Sequence, residues 1–162
     1  MNSVMYKIFT LCLSLIFIVG CGIHKTSAYI DLETKCIGTE LDGTYTLKAS
    51  GRARNAADAY VQAGKQAVKD ILFSLIPCTS GMGNQTSIKP LILEVNAQEK
   101  YEEFFAKFLA DNGDYLNFMS MKEKKSFSSK YSKTNTQTVC TTVVCVDRIK
   151  LKKYLKETGI IK

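Results

Sequence analysis

Residues 43–71 read GTYTLKASGRARNAADAYVQAGKQAVKDI, and this stretch carries both periodicities of a mixed fold. From Gly43 to Gly51, Tyr45, Leu47 and Ala49 fall on one face and Thr44, Thr46, Lys48 and Ser50 on the other. That alternation is the mark of a half-buried strand. The period then changes. Asn55 is placed to cap a helix with Asp58 in its first turn, where negative charge suits the amino end of the helix dipole. Ala56, Tyr60, Ala63, Ala67 and Ile71 share one stripe of that helix, and the small Ala59 and Gly64 permit a close approach to a sheet. Val68, Leu72 and Phe73 broaden the stripe, and Pro77 forbids continuation beyond Ile76.

Working outward, Tyr29–Thr39 reads as a loose or short edge strand. Cys78–Ser87 reads as a loop whose glycines lack the spacing and the Lys-Ser/Thr pair of a phosphate-cradling motif. Pro90–Val95 is a short strand or an apolar lead-in that packs beneath the helices. Asn96 and Glu99 repeat a capping arrangement ahead of a second helix with Tyr101, Phe104, Phe105, Phe108 and Leu109 on one stripe, ended by Asn112-Gly113. An aromatic row at that spacing is expected to be core. Tyr115–Met121 looks extended, and Lys122–Lys133 is a lysine-rich hairpin or loop. Thr136–Val146, dense in Thr and Val with apolar residues on both faces near its end, belongs at the centre of the sheet. Asp147 caps a last helix through Glu157, with Leu151, Tyr154 and Leu155 inward, and Gly159 stops it. The expected fold class is α+β: two layers, an antiparallel sheet of three to five strands, with two long helices and a C-terminal helix on one face.

The amino terminus has a different character. Lys7 precedes an apolar or near-apolar run from Ile8 to Val19, followed by Gly20 and Cys21. A spanning helix needs roughly 20 apolar residues, so this shorter run fits a secretory signal. The sequence Ile18-Val19-Gly20-Cys21 resembles the lipobox of bacterial lipoproteins. That resemblance implies lipidation of Cys21, cleavage before it, and anchoring by acyl chains. Gly22 in place of an Asp implies the outer membrane, facing the periplasm. The expected organisation is a lipoprotein signal peptide over 1–20, a lipidated tether over 21–28 and a single α+β domain over 29–162.

Composition narrows the chemistry. The formal charge is +7, there is no Trp, and His24 is the only histidine. A histidine-based catalytic site or a metal centre is hard to assemble from such a set, so no enzyme activity, metal or cofactor is expected; no small-molecule substrate is evident, and nucleic acid is not expected because an outer-membrane lipoprotein seldom meets any. The basic excess suits an acidic partner or an anionic surface, with Lys122, Lys124, Lys125, Lys130 and Lys133 as the candidate surface; the commoner explanation of such a segment is a solvated hairpin whose lysines discourage edge aggregation. Beyond Cys12 and Cys21, four cysteines remain: Cys36, Cys78, Cys140 and Cys145. Cys140 and Cys145 share a strand, where five residues separate them by roughly 16 Å, beyond the reach of a disulfide at about 7 Å. Any bridge is therefore expected to join Cys36 and Cys78 to Cys140 and Cys145, in an order left open, and four buried thiols are the alternative.

Two further resemblances bear on role. The run from Ala49 to Ala67, a strand, Gly51 and an alanine-rich helix, is similar to the amino-terminal domain of flagellar assembly protein T and to small outer-membrane lipoproteins sharing it. The Asn96–Phe105 helix and the Leu151–Lys162 ending look like small lipoproteins of the subtype iii type VI secretion apparatus. Both imply a non-catalytic assembly or anchoring component of an envelope protein complex. A binding module for an anionic envelope polymer is the alternative, and neither resemblance accounts for the cysteines.

Overall fold

A computed structural model of the chain describes residues 33–79, 85–122, 130–133 and 137–162. The strands are β1 (Lys35–Thr39), β2 (Thr44–Ala53), β3 (Ile76–Thr79), β4 (Gln85–Ile88), β5 (Met119–Met121), β6 (Lys130–Lys133) and β7 (Thr138–Asp147). The helices are α1 (Ala56–Phe73), α2 (Ala97–Lys100), α3 (Glu102–Phe108) and α4 (Arg148–Glu157), with a 3-10 turn at Asp114–Phe118. The fold is α+β.

The sheet runs β4-β3-β1-β2-β7-β5, and β6 also pairs with β7, further along the strand from β5. Its centre is the β2–β7 ladder, in register from Thr44↔Asp147 to Ala53↔Thr138. One face of that ladder carries Leu47, Ala49, Val144 and Val146, which join α1, α3 and α4 in a single hydrophobic core. Tyr45 is half-buried on the same side. The other face carries cross-strand pairs: Ser50 and Thr141 share a 2.8 Å hydrogen bond, and Thr46 Oγ1 lies 3.5 Å from Cys145 Sγ.

The helix α1 lies on β2 and β7 as its small residues allow. Ala59, Ala63, Gly64 and Ala67 are buried against the sheet, and Asn55 caps the first turn by accepting from the Asp58 amide at 2.8 Å. The contact is closest at Gly51. A Cβ on that residue would fall 2.2 Å from the Ala63 amide nitrogen and 2.3 Å from the Ala59 carbonyl oxygen, both backbone atoms of α1. On the partner strand, Cys140 stands opposite Gly51.

Several expectations need correction. The sheet has seven strands among the described residues, not three to five, and β1 with β3 forms a parallel pair within it. β1 is accordingly interior and not an edge strand. The segment read as a loop from Cys78 contains β3 and β4, which pair as Ile76↔Ile88, Pro77↔Ser87 and Cys78↔Thr86. The helix before it stops at Phe73, three residues short of the limit set by Pro77, because Ser74 turns extended and donates its amide to Asp70 O. The second long helix is broken at Tyr101 into α2 and α3, and the Asn96 side chain makes no capping bond. Leu116 to Phe118 belong to the 3-10 turn; only Met119–Met121 is extended.

Other expectations hold. Phe105 and Phe108 are buried, with Tyr101, Phe104 and Leu109 packed against the same core. β7 is paired on both sides, and Asp147 caps α4 by accepting from the Lys150 amide at 2.8 Å. Leu91 and Ile92 act as a lead-in, donating their amides to Ile71 O and Leu72 O at 3.0 Å.

The close contact at Gly51 gives a stability prediction. Gly51→Ala should lower unfolding stability by about 3 kcal/mol, because only backbone can yield. Gly38→Ala, whose added carbon would meet only Thr46 Cβ at 3.9 Å, should stay within about 0.5 kcal/mol. Urea unfolding of the two variants, followed by circular dichroism, checks the contrast.

Candidate functional site

The described chemistry begins with the cysteines. Cys36 on β1 and Cys78 on β3 are register partners in the parallel pair, with Cα atoms 4.5 Å apart, and they form a disulfide. This overturns the expected pairing with the late cysteines. The reason is the β3–β4 hairpin: reading residues 78–87 as loop removes Cys78 from the sheet and from the neighbourhood of Cys36. A signal is present. Ile76-x-Cys78 and Thr86-x-Ile88 flank the glycines at 81 and 83, the outline of a hairpin.

Cys140 and Cys145 are buried thiols outside that bond. They lie on opposite faces of β7, as their odd spacing requires. Cys140 faces α1 opposite Gly51, while Cys145 lies beside Thr46 on the other face.

Of the candidate lysines, the two whose side chains are described stand apart. Lys122 follows β5, donates its amide to Val143 O, and binds the Glu40 carboxylate. Glu40 is the main cause that raises the Lys122 pKa, with Cys145 a smaller contribution. Lys133 is exposed at the far end of β6, opposite Thr138. Five residues along β7 separate the two attachment points, roughly 16 Å. Lys130 pairs through its backbone with Thr141; Lys124 and Lys125, like Cys21, lie outside the described residues.

A second basic face, wholly among the described residues, stands on the last helix. The helix α4 carries Arg148, Lys150, Lys152, Lys153 and Lys156 against Glu157 alone. Its inward side is fixed by Leu151 and Leu155, both fully buried. Between α4 and the 3-10 turn lies a shallow groove of about 420 Å³, lined by Asp114, Asn117, Phe118, Lys150, Lys153 and Tyr154 among others. Tyr154 donates to Asp114 Oδ2 at 3.1 Å, and burial, with that bond, pushes its hydroxyl pKa up. In sequence these lysines read as the solvated flank of a helix, and the signal for a distinct face is that four of them fall within residues 150–156.

Several carboxylates are taken up by structural partners. Asp70 accepts from Thr34 Oγ1 at 2.5 Å, Gln66 Nε2 at 2.9 Å and Ser74 Oγ at 3.2 Å, tying the residue before β1 to the end of α1. Asp111 pairs with Lys65 at 3.0 Å. Among the described residues no three His, Cys, Asp or Glu side chains gather as a metal site, and no helix is long and apolar enough to cross a membrane. Comparison with known protein families, characterised proteins and solved structures finds no match.

The disulfide closes a sequence separation of 42 residues, for which chain entropy gives about 4 kcal/mol of stabilisation. Cys36→Ser with Cys78→Ser should lower stability by up to that amount. Alkylation of the unfolded, unreduced protein should modify Cys140 and Cys145 and spare Cys36 and Cys78, as read by peptide mass spectrometry.

Proposed function

We propose that the chain is a lipoprotein of the outer membrane, anchored through Cys21 and facing the periplasm, where it acts as a non-catalytic assembly or anchoring component of an envelope protein complex. The observation that carries this reading is the apolar leader ending on Ile18-Val19-Gly20-Cys21. The Cys36–Cys78 disulfide supports it independently, because such bonds persist in oxidising compartments such as the periplasm and are rare in the cytosol. Acyl chains contribute about 0.8 kcal/mol per buried methylene, so two or more hold a protein firmly where one does not.

The non-catalytic part of the proposal draws support from the partners of its aspartates. Asp70, Asp111, Asp114 and Asp147 each hold a structural hydrogen bond or ion pair, and the apolar stripes of the helices face a shared core. What the body offers a partner is its outer surface. A second reading, a binding module for an anionic envelope polymer, draws on the same basic excess, with Lys133 exposed on β6.

Metabolic labelling with a palmitate analogue tests the anchor. The parent chain should take up label and fractionate with the outer membrane, and Cys21→Ala should lose both properties while Cys36→Ser retains them. Label retained by Cys21→Ala refutes lipidation at that residue. In-cell crosslinking followed by purification should recover a stoichiometric envelope protein, and recovery of none argues against the assembly role.

A further inference from the structure

We infer that the outward face of α4 docks on an anionic phospholipid surface, so that the body lies against the membrane instead of swinging free on its tether. The inference rests on the anchored reading above, which holds the body near a bilayer.

The helix is charged on one side and locked on the other. Five basic residues against Glu157 leave a net of four positive charges on its 10 residues. At 100° per residue, Lys152, Lys156, Ile149 and Lys153 fall within an arc of about 100°, all four exposed, whose centre lies about 130° from the mean direction of Leu151 and Leu155. Those two leucines are fully buried and Ile160 behind them is nearly so, which fixes the arc toward solvent.

The charge is not neutralised locally. Lys152 and Lys156 have no ion pair among the described residues, and Lys153 has only Glu157 at 3.8 Å, an exposed pair that leaves both groups hydrated. Arg148 and Lys150 are held by neutral acceptors. Arg148 Nη2 donates to Lys89 O at 2.9 Å and Lys150 Nζ to Asn117 O at 3.2 Å, with the rings of Tyr45 and Phe118 beneath them at 6.0 and 5.7 Å. Three nearby acids keep their charge while bonded to neutral donors, Asp147 as the helix cap, Asp114 by Tyr154 and Asp42 by the Thr44 amide, and among the described residues none forms an ion pair with the helix.

Ile149 decides between anionic partners. It stands within the lysine arc, 63% exposed, with its side chain resting against Gly43 of the β1–β2 turn. A soluble polyanion satisfies lysines and gives nothing to an isoleucine. A bilayer rewards both, since lysines meet anionic headgroups while an apolar side chain reaches the acyl boundary.

The chain contains no Trp, so Ile149→Trp supplies a single fluorophore at the proposed contact. The full acylated chain carrying it is reconstituted into phosphatidylglycerol/phosphatidylethanolamine vesicles and into phosphatidylcholine vesicles, each with and without brominated lipid. On anionic vesicles the emission should shift to the blue and be quenched by bromine, and on phosphatidylcholine it should remain that of an exposed indole. Lys152→Gln and Lys156→Gln should each weaken docking about five-fold. The unsubstituted chain gives a second readout: acylation of Lys152 and Lys156 by a water-soluble reagent should be slowed by anionic vesicles alone.

Protein that floats with anionic vesicles yet shows exposed emission and unprotected lysines overturns docking and leaves the anchor standing. Failure to float at all refutes the anchor instead. A blue shift produced by soluble polyphosphate but not by anionic vesicles assigns the face to a polymer and also overturns the inference.

Discussion

Everything in the body depends on how closely α1 can lie on the β2–β7 ladder. At Gly51 there is no room for a methyl group between strand and helix backbone, and the buried side of α1 is correspondingly built from Ala59, Ala63, Gly64 and Ala67. Small residues at an interface give up side-chain contact area, and the loss is offset by the neighbours that closeness brings into register. Leu47 and Ala49 from β2, and Val144 and Val146 from β7, then meet Val68, Ile71 and Leu72 in one core. The later helices close the same core from the side, Phe105 and Phe108 from α3 and Leu151 and Leu155 from α4.

This centre is legible in the sequence because its signals are local and concordant. Period-two alternation over residues 44–50, an Asn55 cap and a 3.6-residue stripe all point the same way, and tertiary structure has nothing to override. The periphery is less legible for identifiable reasons. β3 and β4 are four residues each, too short for alternation to register; they pair with each other, and β3 is tied through Cys78 to Cys36, 42 residues away in sequence. The break at Tyr101 follows from packing: Tyr101 leaves helical geometry while Phe105 turns edge-on to Phe73 at 5.1 Å. A helical wheel records the stripe and is blind to such a break. Of the candidate surface, the lysines beyond β5 stand out by their density in sequence; among the described residues Lys122 is occupied by Glu40, and α4 carries five basic residues on one short helix.

The interior and the surface divide the work. Inside, the Asp70 carboxylate gathers Thr34, Gln66 and Ser74, and Ser50 and Thr141 bond across the central ladder. Outside, lysines around Ile149 give one helix a distinct electrostatic and apolar character. In the proposed setting, the leader and Cys21 bring the body to a membrane, the disulfide ties β3 to β1 within its sheet, and α4 orients it there.

Amide hydrogen exchange under native conditions tests the structural centre most directly, with and without reductant. The account predicts that amides of Leu47–Gly51 and of Val139–Val146 exchange only through global unfolding, and that reduction selectively hastens exchange at Cys78 and at Thr86–Ile88. Exchange of the β2 and β7 amides through local opening, at the same rate as the β3–β4 hairpin, would contradict it.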